Sequence, residues 1–248
     1  MEYTITEKVD LPSKGKIYDD VPETLTLRSM TTEEEMRRLS QRGTAYEKLC
    51  DIIDKCIIED IKISSYDMCL GDYQGLLYGL RIATYGSKCL NPTICPKCGK
   101  LNNHEVDLYS LKPIDFDSFK DEDFEIALPQ SNKTVKLKLQ TPRILDEIEK
   151  EVDDYKNKTK DNSLDPTFLF TLKHSIQYVD GIMLDPIKLD AFLRKLPMRD
   201  TNVLMQKVLK LNDKVGINTD VSDKCDDCGN LYNATFRISS EFFGPTID

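Results

Sequence analysis

Tryptophan is absent from this sequence, and only two histidines occur among its 248 residues. No apolar run is long enough to span a bilayer, because charged residues interrupt every hydrophobic stretch. The first residues, MEYTITEKVD, lack the basic and apolar regions of a signal peptide. We therefore expect a protein that is made and kept in a cytoplasm, where its eight cysteines are thiols or metal ligands rather than disulfides.

A surplus of positive charge is also missing. The formal net charge is −9 and the isoelectric point is about 4.9. Such a surface repels duplex nucleic acid unless a basic patch is segregated on it. The composition, 40% hydrophobic and 31% charged, is typical of a chain with a folded core. A nucleic-acid-binding or transcription-associated protein is therefore kept only as the alternative interpretation.

Sequence motifs of the common enzyme classes are lacking as well. The chain has no glycine-rich phosphate loop, no nucleophile elbow and no HExxH. His174 lies in a helical stretch, where a surface or capping role suits it better than catalysis. The acidic stretch DEIEKEVDD has helical spacing and indicates a solvated helix face. Lys136 and Lys138 share one face of a predicted strand. This face is either the solvated side of a hairpin or a contact for a phosphate or for acidic groups of a partner. We predict that the protein is not an enzyme.

What the chain does contain is the same cysteine motif twice, CPKCG near the middle and CDDCG near the end. Four thiolates satisfy a tetrahedral Zn²⁺ ion and leave no open position for water, so the ion is structural. Gly99 and Gly229 can adopt the positive φ that lets backbone N–H groups point at the sulfurs. The predicted ligands are Cys95, Cys98, Cys225 and Cys228.

Other interpretations of the cysteines remain open. The two motifs can be unrelated turns with free thiols, and a redox pair is disfavoured because neither motif lies between a strand and a helix. His104 and Cys89 are close enough in sequence to replace a ligand. Cys50 and Cys56 lie among apolar helix positions and are expected to be small core residues.

The two cysteine motifs predict a zinc ribbon that is split by a long insertion. The strands that follow the motifs, HEVDL and NATFRI, are expected to be neighbours in one small sheet. Zinc binding in finger peptides is worth about 10–16 kcal/mol, more than the few kcal/mol needed to close a long loop. One ion is therefore expected to hold both ends of the insertion.

The predicted fold class is α+β, mainly helical, with a split four-cysteine zinc ribbon and a β-hairpin in a large insertion. Capping residues and apolar periodicity predict helices with their first turns near Thr32, Asp72, Asp185 and Asp200. The polar stretch 155–166 is predicted to be an exposed loop or a frayed helix end. We divide the chain into an extended N-terminal arm and strand (1–30), a helical part ending in the first knuckle (31–110), a hairpin plus helical insertion (111–219), and the second knuckle with a C-terminal strand (220–248).

The order of motifs resembles a known family. LPSKG near the N-terminus is followed by TTEEE at a helix start, an apolar helix ending in YGS, CPKCG, a hairpin, a helical middle and finally CDDCG. This order is similar to that of the T4-type bacteriophage baseplate hub and hub-assembly proteins of contractile tails, over residues from about 8 to 240.

The resemblance implies a non-enzymatic protein that helps the central hub of the baseplate to form, as a hub component or as an assembly chaperone. The implied partners are hub and tail subunits, in the host cytoplasm during assembly and in the virion tail. The mechanism would be templating, in which a rigid zinc-held body offers an arm and apolar helix faces to those subunits. The segment carried over as partner-binding is Leu11, Pro12, Ser13, Lys14 and Gly15. An ordinary edge strand of the protein's own sheet is the alternative for this arm.

Overall fold

The structure is a computed structural model that describes residues 5–159, 164–238 and 242–244. About 40% of these residues are helical and 21% lie in strands. The α-helices are α1 (Thr32–Arg38), α2 (Ala45–Cys56), α3 (Leu70–Tyr85), α4 (Pro142–Thr159), α5 (Thr167–Ser175), α6 (Pro186–Arg194) and α7 (Met198–Asp213). The strands are β1 (Thr6–Asp10), β2 (Thr24–Arg28), β3 (Lys88–Ile94), β4 (Leu101–Asp107), β5 (Glu125–Ala127), β6 (Thr134–Leu137), β7 (Ile176–Val179), β8 (Asp220–Lys224) and β9 (Leu231–Thr235).

The fold is α+β, but the prediction that it is mainly helical is wrong. The strands form the antiparallel pairs β1–β2, β3–β4 and β8–β9 and the three-stranded sheet β5–β6–β7. Two strands that the sequence did not suggest, β3 and β8, lead directly into the cysteine motifs. β3 reads KCLNPTI and alternates exposed and buried residues along its whole length. Its polar residues and its proline hide this alternation from a reading based on apolar periodicity.

Helix α3 is the centre of the larger core and is buried on nearly all sides. Its glycines lie four residues apart, at 71, 75 and 79, and form a stripe along which other segments approach the helix backbone. A Cβ atom at Gly71 would lie 2.1 Å from the Val215 carbonyl oxygen, and one at Gly79 would lie 2.1 Å from a Val9 methyl group. These contacts offset the roughly 0.5–1 kcal/mol that each helical glycine costs relative to alanine.

A second core covers one face of the β5–β6–β7 sheet with α5, α6 and α7. Leu137 on β6, Leu172 on α5 and Leu204 on α7 are almost completely buried in it. Asp200 does not cap α7; its carboxylate accepts hydrogen bonds from the backbone N–H groups of Gln130 and Ser131, at 2.9 and 2.8 Å. This carboxylate therefore ties α7 to the turn between β5 and β6, the hairpin that the sequence predicted.

The chain enters and leaves this second core through one antiparallel crossing. Ile114 N–H donates to the Gly216 carbonyl at 2.9 Å, and Asn218 N–H donates to the Lys112 carbonyl at 2.8 Å. Pro113 and Ile217 form the bridge between them. Both ends of the insertion are thus held together by backbone hydrogen bonds, close to the strands that carry the cysteines.

Several helix starts differ by a few residues from their predicted positions. The capping box of α1 uses Thr31 and Glu34 rather than Thr32, and α3 has Cys69 rather than Asp72 at its N-cap. Asp185 caps α6 as predicted. None of the helices in the described ranges is both long enough and apolar enough to cross a membrane. The division of the chain into four parts stays a prediction, and residues 160–163 of the predicted polar loop lie outside the described residues.

Glu34 is a buried carboxylate that joins α1 to the β1–β2 hairpin. Both of its oxygens accept hydrogen bonds from the Arg28 guanidinium, at 2.9 and 2.6 Å, and one also accepts from the Thr31 backbone N–H at 2.8 Å. The Arg28 bonds lower the pKa of Glu34 from its ordinary 4.5 to about 2, against the desolvation that raises it. Because the folded pKa is depressed, this stabilisation is present above about pH 4.5 and is lost as the pH falls toward 2.

We expect Glu34→Gln to lower the free energy of unfolding by roughly 1–3 kcal/mol at neutral pH, since it removes charge-assisted hydrogen bonds at a buried site. The difference from the parent should shrink as the pH falls from about 4.5 toward 2. Urea unfolding across this pH range measures it. Glu33→Gln, on the exposed side of the same helix, is the matched control, and an equal effect of both substitutions would contradict the assignment.

Candidate metal centre

Each cysteine motif forms the tip of its own hairpin, β3–β4 or β8–β9. In the first, Cys95 N–H donates to the Lys100 carbonyl and Gly99 N–H to the Cys95 carbonyl, both at 2.9 Å. In the second, the same two bonds recur at the same length between Cys225 and Asn230 and between Gly229 and Cys225. Both glycines have positive φ, 73° and 68°. We call these two hairpins together the cysteine ribbon.

The two tips face each other and bring four sulfur atoms together. All four Sγ atoms lie within 4.8 Å of one another. The Cys95–Cys228 pair is 3.7 Å apart and the Cys98–Cys225 pair 3.5 Å, too far for a disulfide. A tetrahedral ion with metal–sulfur bonds of about 2.3 Å requires sulfur–sulfur edges of about 3.8 Å. The separations of these two sulfur pairs are close to that edge length, so the four cysteines can hold a metal ion.

The proton affinities of the sulfurs favour a cation at this point. The Cys228 backbone N–H, directed at the Cys225 sulfur, lowers the pKa of that thiol to about 6, against desolvation, which raises it. The Lys100 backbone N–H acts to lower the pKa of Cys98, but desolvation and the three neighbouring sulfurs outweigh it and raise this pKa to about 12. The protein alone therefore stabilises the Cys225 thiolate but not the Cys98 thiolate. A metal ion supplies the positive charge that makes the full set of thiolates favourable.

Side chains behind the sulfurs join the two hairpins. Thr93 and Asp223 occupy equivalent positions, 130 residues apart, and Thr93 Oγ1 donates to Asp223 Oδ2 at 2.8 Å. The Tyr232 hydroxyl lies 3.0 Å from the same carboxylate oxygen and 2.7 Å from Thr93 Oγ1. Across the tips, Asp226 N–H donates to Asn102 Oδ1 at 3.0 Å. These contacts fix the relative orientation of the hairpins. The sequence analysis missed them, although aligning the two motifs would have placed Thr93 opposite Asp223.

The expectation that HEVDL and NATFRI share one sheet is wrong. β4 pairs with β3, and β9 pairs with β8, each in a separate two-stranded sheet. The physical reason is local. The short cysteine turn returns the chain directly beside the strand before it, so hairpin pairing forms at little entropic cost.

The other candidate ligands lie elsewhere. The group of side chains that can hold an ion in the described residues contains only the four cysteines. His104, on β4, has its Nε2 atom 3.2 Å from Asp223 Oδ1 and 3.8 Å from Asp226 Oδ2, and it is not part of the sulfur cluster. Cys50, Cys56 and Cys89 belong to the main apolar core. The four cysteines of the two motifs therefore complete the candidate site without a ligand from elsewhere in the described residues.

The predicted partner-binding segment, residues 11–15, lies largely inside the fold. Only Lys14 has a partly exposed side chain. The Ser13 backbone N–H donates to Asp72 Oδ1 at 2.8 Å, and the Tyr18 hydroxyl donates to Asp72 Oδ2 at 2.7 Å. The buried Asp72 carboxylate thus holds this segment against the start of α3. Binding of a partner by residues 11–15 stays a prediction, with Lys14 as its accessible group.

One family of known proteins matches almost the entire chain. A family model described as T4 bacteriophage base plate protein matches residues 2–244. The matched range includes both hairpins of the cysteine ribbon and all four cysteines. No curated protein matches the chain, and no solved structure matches it.

We expect the purified protein to contain one zinc ion per chain and Cys225→Ser to lose it. Each kcal/mol of stabilisation lost with the ion should lower the Tm of a chain of this size by roughly 2–4 °C. Hydrogen exchange should accelerate in β8 and β9 but not in β6, because the backbone crossing at Pro113 and Ile217 still holds the insertion. Elemental analysis, thermal melts and exchange measure these effects.

Cys89→Ala, a cysteine change in the apolar core, controls for the substitution itself and should retain the metal. A chelator should lower the Tm of the parent and leave that of Cys225→Ser unchanged. If the purified parent contains no metal and a chelator leaves its Tm unchanged, the assignment is overturned.

Proposed function

The chain belongs to the T4 bacteriophage base plate protein family, and from this premise we propose that it is a non-enzymatic protein that assembles the baseplate hub by binding hub subunits. The observation that carries the proposal is the family match over residues 2–244. Binding to hub subunits is expected in both forms of this role, as a hub component that stays in the tail or as an assembly chaperone that leaves it. Its places of action are the host cytoplasm during assembly and the tail baseplate.

The cysteine ribbon supports this proposal through its exposed apolar side chains. Leu101 and Leu231 follow the second cysteine of each motif at equivalent positions and are 62% and 71% exposed. Ile94, which pairs with Leu101 across β3–β4, is 68% exposed. Large exposed apolar side chains that lie close together are typical of protein-binding surfaces. A rigid ribbon that presents them suits a template on which other subunits are placed.

The chemistry of the metal set supports a non-catalytic role. We propose Zn²⁺ as the native ion, held by Cys95, Cys98, Cys225 and Cys228. Four protein ligands leave no coordination position for water or substrate, which is the arrangement of structural zinc sites. His174 lies between two carboxylates, 3.3 Å from Glu147 and 3.3 Å from Glu151, at the α4–α5 contact. Those contacts suit a role in helix packing.

The predicted contribution of residues 11–15 to partner binding rests on Lys14. Its ammonium group lies 3.5 Å from Asp115, whose side chain is mostly exposed. A partner carboxylate can therefore replace or join Asp115 at this point. The buried neighbours of Lys14 would act by holding it in position.

We expect native mass spectrometry of the protein mixed with purified hub subunits of its phage to detect a defined complex. Lys14→Gln should weaken that complex, since it removes the only accessible charge of the segment. Lys62→Gln, on a side chain that is 87% exposed, is the matched control and should have no effect.

Two outcomes would contradict the proposal. The first is the lack of any complex with hub subunits under conditions in which the protein is folded and metal-loaded. The second is binding to DNA or RNA that falls steeply with salt, which would favour the nucleic-acid alternative. An effect of Lys14→Gln equal to that of Lys62→Gln would remove residues 11–15 from the interface without affecting the assembly role.

A further inference from the structure

A cleft opens beside β6, where the larger core and the second core meet. Its volume is about 430 Å³, and pockets that bind ligands typically measure roughly 300–1,000 Å³. A smaller hollow of about 260 Å³ follows β7, and Lys138 and Gln177 line both spaces. The two spaces are therefore adjacent. We call the larger one the cleft and the smaller one the side pocket.

Both spaces present apolar surface that the fold leaves uncovered. Ile17, Ile63, Phe124 and Leu139 line the cleft, and each is only half-buried in the apolar cluster against which it packs. In the side pocket, Met183 is 66% exposed. Apolar groups of a ligand that covered these side chains would remove apolar surface from water, which is favourable.

Lys138 is the one charged residue lining the cleft that has no ion pair within the described part of the chain. The Asp67 carboxylate accepts two hydrogen bonds from the Arg143 guanidinium, at 2.6 and 2.8 Å. Asp121 lies 3.5 Å from the Lys136 ammonium. The face that Lys136 and Lys138 share therefore borders an apolar cleft, and it offers one ammonium group that can pair with an anion.

The arrangement favours an extended peptide segment over a compact ligand. A small molecule in a ligand site is typically 70–90% buried, whereas Lys138 and Gln177 at the meeting of the two spaces are exposed. An extended segment can place side chains in successive pockets. It can therefore fill the cleft and the side pocket and set a carboxylate beside Lys138 between them. A free phosphate would leave the apolar surface uncovered.

The overall charge of the protein makes this position selective for an acidic segment. The formal net charge of −9 repels such a segment over most of the surface. Lys138 is a local exception next to apolar surface, so charge and apolar contacts point to the same place.

We propose that the cleft and the side pocket bind an extended segment of a partner protein in which an acidic residue lies between two large apolar residues. The carboxylate pairs with the Lys138 ammonium, one apolar side chain enters the cleft, and the other enters the side pocket. Neither the cysteine ribbon nor residues 11–15 contribute to the lining of these two spaces in the described residues. The chemistry of this site does not depend on whether the partner is a hub subunit.

The test uses the full-length, metal-loaded protein and a short blocked peptide in which one aspartate lies between two leucines. At low salt, NMR titration should show saturable shifts of the Lys138 and Gln177 amides. The same peptide with asparagine in place of aspartate should bind about two- to fivefold more weakly, as expected for a partly exposed ion pair. A peptide with alanines in place of the leucines should show no saturable binding, because it lacks the apolar contacts.

Two variants locate the ion pair. Lys138→Gln should bind the aspartate and asparagine peptides equally well, since the double-mutant cycle then has no charge pair left to lose. Gln177→Glu sets a second carboxylate next to Lys138 and should weaken binding of the aspartate peptide more than that of the asparagine peptide. Both positions are exposed, so the variants should fold normally, which thermal melts verify.

The matched controls make the same charge changes on α7. Lys210→Gln and Gln206→Glu alter exposed residues that do not line either space. Both should bind the two peptides as the parent does, which separates a local ion pair from general charge attraction.

Equal weakening by Lys138→Gln and Lys210→Gln, or equal binding of the aspartate and asparagine peptides to the parent, would overturn the proposal. Saturation of the same amide shifts by octanoate or inorganic phosphate at lower concentration than by the peptide would also overturn it, in favour of a small-molecule site. A failure of the hub-subunit complex would leave the peptide result standing, so the two proposals are tested independently.

Discussion

The meeting of two hairpins from distant parts of the chain is the constraint on which the rest of the structure depends. Four sulfur atoms lie within 4.8 Å of one another, although Cys98 and Cys225 are 127 positions apart. The chain between these two cysteines must begin and end at the same point, and closing a loop of this length costs several kcal/mol of conformational entropy. The crossing at Pro113 and Ile217 meets the same requirement with backbone hydrogen bonds. The insertion is thus held at its base by backbone hydrogen bonds, and the hairpins on its two sides meet at the four sulfur atoms.

Buried carboxylates connect the separate parts of this acidic chain, and they fall into two classes. Asp72 and Asp200 each use both oxygens to accept hydrogen bonds from segments far away in sequence, so they fasten the N-terminal segment and the β5–β6 turn. Asp146 uses one oxygen, and its other oxygen is buried with no donor among the residues that the structure describes. The first class explains how loops with little apolar surface are held in place.

Local patterns in the sequence predicted the features that depend on neighbouring residues. The aspartate that caps α6, the β5–β6 hairpin and the two cysteine turns all depend on contacts within a few positions. The strands β3 and β8 were missed because their alternation involves polar residues that are buried only against the opposite hairpin. The mainly helical assignment failed for this reason. The burial of residues 11–15 also escaped prediction. It depends on groups far away in sequence: the Asp72 carboxylate accepts a hydrogen bond from the Ser13 N–H, and Pro12 approaches α3 at Gly75.

The sequence by itself determined the chemistry of the metal centre, because two Cys-x-x-Cys-Gly motifs specify four thiols and two turns that require a positive φ. It also determined the family, through the order of motifs along the chain. Only the tertiary structure decided that each motif closes its own hairpin, that Thr93, Asp223 and Tyr232 join the two hairpins, and that Asp72 and Asp200 accept hydrogen bonds from distant segments. These properties depend on distances between residues far apart in sequence, and such distances are set by packing, which no local pattern encodes.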